Sequence, residues 1–493
     1  MPATLSEIAA SAPGVIAVVG ADVLISDITH TSQDIGPGGA FVAIRGERFD
    51  AHRFIGDAVA SGASALIVEE PVAADVPHIV VEDSRLAMAP MARTVHNNPD
   101  ESLSIVGITG PNGKTSVAHM CEAAWMAAGR PSGVIGTLGA RFLGTPVPLN
   151  RTTPESTDLQ RLLAAMVSDG VESVAMEVSS HALDLHRADA ISFTSAGFTN
   201  LTQDHLDFHG TMDDYFSSKA KLFRAERTQS AVINVDDHFG ERLAREVAVP
   251  VIKVGFGESG AGATSVDISA SGLAMSESGT SFTLHTPTGS ALVGLPFAGS
   301  FNVSNSLVAV GLLIVDGLGI DDIVEGLENL GPISGRMEIV PSDEPFTVVV
   351  DYAHTPDAIS AVLASVRSIV EARLIVIVGA GGDRDQDKRS LMGASAARFA
   401  DLTIVTTDTP RSEDPRTIAD EVARGAEAAG RSQVMTMLDR AEAIEHAIDA
   451  AGPGDVVMIL GRGHEQGQEI AGSIVPFSDA QVAARALEGP RRA

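Results

Sequence analysis

The chain has 493 residues, with 34 Lys and Arg against 64 Asp and Glu, a formal charge of −30. That charge excludes sequence-independent attraction to nucleic acid, so an anionic ligand must be held by local dipoles or metal ions. A single cysteine, Cys121, excludes an intrachain disulfide framework and a Cys-based zinc cluster, and fits a reducing cytoplasm.

At 44% hydrophobic residues the composition is that of a globular chain, long enough for about two to four domains. The most apolar run, Leu307 to Val315, stops at Asp316. It is far short of the ~20 residues that cross a bilayer. The N-terminal stretch carries Glu7 and no basic segment, so no signal peptide is expected. The expectation is a cytoplasmic monomer without an integral membrane segment.

Short β-branched runs alternate with Ala-rich stretches, the pattern of an α/β chain. Residues 1–99 form a first block. Phe41–Ile44 and Ala65–Val68 read as strands, Asp57–Gly62 as the end of a helix, and His96-Asn-Asn-Pro99 as a boundary turn. Residues 100–332 form a second block, opening with the strand Leu103–Ile108. In the helix Thr115–Ala128, Val117, Met120, Cys121, Ala124 and Trp125 share one face. Residues 257–290, rich in Gly, Ser and Thr, read as hairpins or an edge insertion. Residues 333–493 form a third block with four apolar strands, Thr347–Val350, Leu374–Val378, Leu402–Val405 and Val456–Leu460. Helical segments, among them Ala358–Val370 and Arg416–Ala429, separate them. That is a doubly wound, Rossmann-like sheet, and each strand runs into an unusual polar segment.

The sharpest local signal is Val106-Gly-Ile-Thr-Gly-Pro-Asn-Gly-Lys-Thr-Ser116, where a buried strand meets a Gly-rich turn and a helix. The backbone N–H groups of such a turn and the helix N-terminus make an anion cradle. Gly110, Pro111, Asn112, Gly113, Lys114, Thr115 and Ser116 would hold ATP phosphates, Lys114 reaching the β/γ-phosphates and Thr115 meeting Mg²⁺. The general phosphate-loop pattern wants Gly where this chain has Ile108, so the loop is a shorter variant.

Thr109-Gly-Pro-Asn-Gly-Lys-Thr115 resembles the ATP loop of the Mur ligases, the ATP-dependent amino-acid ligases of peptidoglycan synthesis. Further segments fit in order: Met176-Glu-Val-Ser-Ser-His181, Asn200-Leu-Thr-Gln-Asp-His-Leu-Asp207, Gly335-Arg-Met-Glu338 and Asp351-Tyr-Ala-His-Thr-Pro356. The resemblance is greatest to members that add the third stem-peptide residue to UDP-N-acetylmuramoyl-L-alanyl-D-glutamate. It implies a central ATP-binding domain, a first domain for the UDP-sugar and a third for the amino acid. It also implies that Glu177 and His205, with Thr115, hold Mg²⁺, and that Lys219 is carbamylated (N6-carboxylysine). Asn305, Arg336 and His354 are expected to meet ATP. Ser32, Thr152, Thr153, Ser179 and Arg187 match positions for the UDP-muramoyl dipeptide.

In the third block, Asp408-Thr-Pro-Arg411 resembles the Asp-Asn-Pro-Arg signature of meso-diaminopimelate-adding members. Two arginines, Arg384 and Arg411, suit the carboxylates of that diamino acid. Asp408 and Glu465 suit its distal ammonium, and Thr409, Pro410 and Gly461 complete the set. Thr409 is a departure, because a hydroxyl cannot reproduce an amide's donors and carbonyl. Lysine, ornithine, diaminobutyrate and homoserine stay open alongside diaminopimelate. A phosphate-loop NTPase switch is the rival from another class. His205 and His209, four residues apart, lack the HExxH context of a zinc site.

Overall fold

The computed structural model describes residues 2–46, 49–257, 265–276 and 279–489. Among these residues, three large sheets follow one another along the chain. The first holds β1 (Val15–Val19), β2 (Asp27–Thr29), β3 (Gly39–Val42), β4 (Ala65–Val68) and β5 (His78–Val81) in the order β1-β5-β4-β3-β2. All neighbours are parallel except β1 with β5. The expected strand at 41–44 begins two residues earlier, at Gly39. At the expected boundary turn, Asn97 and Asn98 both take positive φ, which the short polar side chain of Asn tolerates.

The second sheet contains β6 (Ser104–Thr109), β7 (Ser132–Gly136), β8 (Gly139–Phe142), β9 (Thr145–Val147), β10 (Ser173–Glu177), β11 (Ser195–Phe198), β12 (Ala231–Asn234) and β13 (Val251–Gly255). It ends in β14 (Ile268–Ser276), β15 (Gly279–Thr286) and β16 (Gly289–Leu295), with the order β9-β8-β7-β10-β6-β11-β12-β13-β14-β15-β16. The Gly/Ser/Thr-rich stretch expected at 257–290 is thus an antiparallel extension of the sheet edge; its positions 258–264 and 277–278 lie outside the described residues. Helix α1 (Lys114–Ala127) packs its face of Val117, Met120, Cys121, Ala124 and Trp125 into the core at zero exposure. The apolar run 307–315 lies in α2 (Ser300–Val315), which covers the same core. No described helix is long and apolar enough to cross a membrane.

The third sheet is β17 (Glu338–Val340), β18 (Thr347–Asp351), β19 (Leu374–Val378), β20 (Leu402–Val405), β21 (Gln433–Thr436) and β22 (Val456–Leu460), in the order β17-β18-β22-β19-β20-β21. The four expected strands form its parallel centre. The two additional strands sit at the edges, where shorter, half-exposed segments carry little apolar signal. Asp414 caps the helix Pro415–Ala429, accepting from the Arg416 N–H. A hairpin, β23 (Gly467–Ile470) with β24 (Ser473–Pro476), follows.

Behind the third sheet, Arg440 and Asp479 form a two-pronged ion pair at 2.7 Å per bond, with side-chain exposures of 1% and 0%. Removing one charge leaves the other buried and uncompensated. Asp479→Asn should therefore lower unfolding free energy by about 3–5 kcal/mol, measurable by denaturant titration.

Candidate active site

The loop between β6 and α1 turns through two glycines with positive φ, Gly110 at +141° and Gly113 at +91°. A Cβ at Gly110 would collide with Thr199 Oγ1, and one at Gly113 with Asn305 Oδ1. Only glycine meets both the backbone and the packing demand. The Thr199 hydroxyl (2.6 Å) and Asn200 amide (3.1 Å) donate to the Asn112 carbonyl and hold the loop. Lys114 Nζ donates to the Gly110 and Pro111 carbonyls at 2.8 and 3.0 Å, so its ammonium stands at the mouth of the cradle. Burial lowers its pKa, opposed by Glu177 and Asp204.

Glu177, at the end of β10, is 1% exposed. Its Oε1 accepts from the Thr115 hydroxyl and the Thr137 N–H, and its Oε2 from the Thr137 hydroxyl, all at 2.9 Å. Arg336 reaches across from the third unit. Its Nη2 donates to Thr115 Oγ1 at 3.1 Å, and its guanidinium lies 4.4 Å from the Tyr352 ring centre. Asn112, Gly113, Ser116, Asn305 and Arg336 line a cavity of about 880 Å³ against Tyr352. His354 is not part of that lining. Its Nε2 lies 3.7 Å from Asp204 in a second cavity. The backbone after β18 turns it that way, with Nδ1 against the Tyr352 carbonyl at 3.0 Å.

Of the three residues expected at a metal, Thr115 and Glu177 are hydrogen-bonded to each other. His205 turns to Asp204, 3.3 Å away, and to the edge of His181. No group of three or more His, Cys, Asp or Glu among the described residues is arranged to hold a metal. His205 has φ +55° at the start of a short helix, Leu206–His209. His209 is occupied by the chain, bonding Ser180 Oγ at 2.8 Å and stacking on Tyr215.

Lys219 lies in α3 (Met212–Ala220), 1% exposed, its Nζ 4.6 Å from the Tyr215 ring centre. Burial, reinforced by Lys114, drives its pKa well below the ordinary lysine value, which favours the neutral amine. Burial also lowers His209 and His464 to about 4 each. Both rings are neutral in the fold and take up protons when it opens, because an unfolded histidine titrates near 6.5. Stability is full above pH 6.5 and is lost as pH falls toward 4. Each ring should cost on the order of 1–2 kcal/mol at pH 5, read by chemical unfolding at pH 7 and pH 5.

The second cavity, about 760 Å³, collects Arg384, Asp408, Thr409, Arg411, Gly461 and Glu465, as the sequence suggests, but not Pro410. Asp204, His205 and Lys388 close its other side. Tyr352 lines both cavities. Arg384 approaches Asp207 (3.8 Å) and Lys388 approaches Asp204 (3.4 Å), so the second and third units meet across this cavity. Glu465 has its pKa raised by burial and by Asp408.

On the opposite side, toward the first unit, Glu155 collects three guanidiniums: Arg85 (3.1 Å), Arg151 (2.8 Å) and Arg187 (2.9 Å). Only Arg187 was expected. Arg151 adjoins the Thr152-Thr153 pair in sequence, whereas Arg85 carries no local signal. The Thr153 hydroxyl donates to the Glu177 carbonyl (2.9 Å) and accepts from Ser179 N–H (3.2 Å), so it positions the strand end and keeps one acceptor lone pair. The Ser179 hydroxyl caps the helix Ser180–Asp184. Thr152 meets Thr137 at 3.2 Å. Ser32 lies after β2, outside the linings of both cavities.

Comparison with known proteins matches the descriptions "Mur ligase family, catalytic domain" over residues 24–96, "Mur ligase middle domain" over 108–313 and "Mur ligase, glutamate ligase domain" over 335–463. The UDP-N-acetylmuramoyl-L-alanyl-D-glutamate–2,6-diaminopimelate ligase of Streptomyces coelicolor is 42% identical over 473 residues, 94% of this chain and 92% of that one. The chain belongs to the Mur ligase family. With that family comes its activity class, ATP-dependent formation of an amide bond. The like-named ligase of Geobacillus thermodenitrificans is 41% identical to this Mur ligase, covering 93% of this chain and 94% of that one. A solved structure of a ligase with the same name superposes with a TM-score of 0.69 at 29% identity, covering 99% of each chain.

Proposed function

We propose that this Mur ligase joins meso-2,6-diaminopimelate to the D-glutamyl carboxylate of UDP-N-acetylmuramoyl-L-alanyl-D-glutamate, at the expense of ATP. The observation that carries the reading is the sharing of Tyr352 by the phosphate-loop cavity and the cavity of mixed charge. A phosphoryl donor and an amine acceptor would thus meet at one wall. A carboxylate is a poor electrophile, and transfer of the γ-phosphoryl group converts it to an acyl phosphate with a good leaving group. The amine then attacks the acyl carbon, the C–O bond to phosphate breaks, and phosphate leaves.

Lys114 and Arg336 stand where charge builds on the transferring phosphoryl group. Asn305 and Ser116 contact the nucleotide from the loop side. The Thr115 hydroxyl and the Glu177 carboxylate, 2.9 Å apart, are hard oxygen donors and fit Mg²⁺. When bound there, Mg²⁺ would neutralise phosphate charge. Lys219 as a carbamate supplies anionic oxygens, and His205 shares its surroundings. Arg187, with Arg85 and Arg151, forms three positive charges on one carboxylate, a surplus that suits the diphosphate or carboxylate of the nucleotide-sugar. Ser32, Thr152 and Ser179 line its approach. Arg384 and Arg411 take the carboxylates of the amino acid, and Asp408 and Glu465 its distal ammonium. The three sequence blocks then serve as UDP-sugar, ATP and amino-acid domains of a cytoplasmic enzyme.

The test is phosphate release from ATP with the UDP-muramoyl dipeptide present, across a panel of amino acids, with product mass. Release that requires diaminopimelate and yields the tripeptide is the expected result. Release indifferent to every amino acid would overturn the reading in favour of an NTPase.

A further inference from the structure

Arg462 is 0% exposed and stands behind the amino-acid cavity without lining it. Its Nη1 donates to Thr409 Oγ1 at 2.6 Å and lies 3.3 Å from Glu465 Oε2 and 3.8 Å from Asp408 Oδ1. Its Nη2 donates to the Gly467 carbonyl at 2.8 Å, at the start of β23. From the same strand, Gln468 Nε2 donates to the Asp408 carbonyl at 2.6 Å. The Arg411 N–H donates to the Glu469 carbonyl at 3.0 Å. The segment from Asp408 to Arg411 is therefore fastened from behind by Arg462 and by the hairpin.

This fastening has chemical consequences. A guanidinium only donates, so toward Arg462 the Thr409 oxygen must accept. The hydroxyl proton is left to point elsewhere, and Thr409 lines the cavity. A donor there meets a carboxylate oxygen and repels an ammonium. The Asp408 and Glu465 carboxyls, both held against Arg462, share the cavity with Arg384, Arg411 and Lys388, so acidic and basic groups face an occupant together. The opposite side of the cavity, Asp204 and His205, continues along the segment from Asn200 into the phosphate-loop cavity. The reacting amine belongs on that side, and the Thr409 wall receives the far end of the amino acid.

We infer that Arg462 is a positioning residue for amino-acid selection: through Thr409, Asp408 and Glu465 it shapes this wall for an ammonium and a carboxylate carried together. That end group distinguishes a diamino dicarboxylic acid from lysine, and the assignment rests on the ligase reading above. In this chain Thr409 thus works as a one-proton donor set by Arg462.

The experiment compares the full-length enzyme with Thr409→Val and Arg462→Lys. For each, kcat and KM are measured with meso-diaminopimelate and with L-lysine at saturating ATP and UDP-muramoyl dipeptide. Lysine keeps the charge at position 462 but loses the planar fork. Each variant is expected to raise KM for diaminopimelate about tenfold or more, the size of a lost hydrogen bond to a charged group. KM for ATP should hold, and the diaminopimelate-over-lysine ratio of kcat/KM should fall in step. The double variant should lose no more than the worse single, because both act through one contact. An unchanged ratio in Thr409→Val, or an equal loss with both amino acids in Arg462→Lys, would overturn the assignment. Should Arg462→Lys fail to fold, Thr409→Val alone decides. Wild-type enzyme that forms no amide with any amino acid would overturn the ligase reading, and this inference with it.

Discussion

Lys114→Ala is expected to lower kcat for amide formation by about 10³-fold, the scale of losing a preorganised charge at a transition state. The side chain is held at the mouth of the cradle by two loop carbonyls, so its charge is in place before the reaction. Arg336, bonded to Thr115 and stacked on Tyr352, supplies a second charge from the third unit but is held there and does not occupy the Lys114 position. The UDP-muramoyl dipeptide is expected to bind the variant as it binds the wild type, since the arginines around Glu155 lie on the opposite side. Calorimetric titration of the dipeptide, beside product formation by mass, checks both halves. Retention of turnover within tenfold would remove Lys114 from the chemistry.

Lys219→Arg is expected to lower the rate by about 10²-fold, in the range for losing a supporting oxygen donor at an ion site. Burial lowers the pKa of the Lys219 amine and so favours the neutral form that adds to CO₂, releasing one proton as the N–C bond forms. An arginine stays charged and cannot do this. Wild-type enzyme supplied with ¹³C-bicarbonate should show a carbamate resonance that the variant lacks. Stripping CO₂ should lower the wild-type rate, and restoring bicarbonate should recover it. Full activity with an unmodified amine would refute the assignment.

Much of the fold is legible from patterning. The helix after the phosphate loop shows its buried face at helical spacing, and the central strands of the third sheet are continuous apolar runs, as parallel strands buried on both faces should be. Edge strands such as Gln433–Thr436 are not legible, because one face and one edge meet water and the composition stays mixed. In the site, Asp408, Arg411 and Glu465 announce themselves in polar segments after strands and do converge. The placement of His354 beside Asp204 in the second cavity was not legible, because its direction is decided by how the chain turns after β18. That the Thr153 hydroxyl bonds the backbone around Glu177 was not legible either, because its partners lie 24 and 26 residues away along the chain.

By itself the sequence determined the phosphate loop, because strand, glycines, lysine and helix are neighbours along eleven residues, and local backbone geometry needs no distant partner. Tertiary structure alone decided that Arg336 reaches Thr115 from 221 residues away. It also decided that Arg85 joins Arg151 and Arg187 on Glu155, and that Arg462 fixes Thr409 from behind. A buried charge is tolerated only where the fold brings its counter-charges, and those are chosen by packing between sheets, which no periodicity along the chain records.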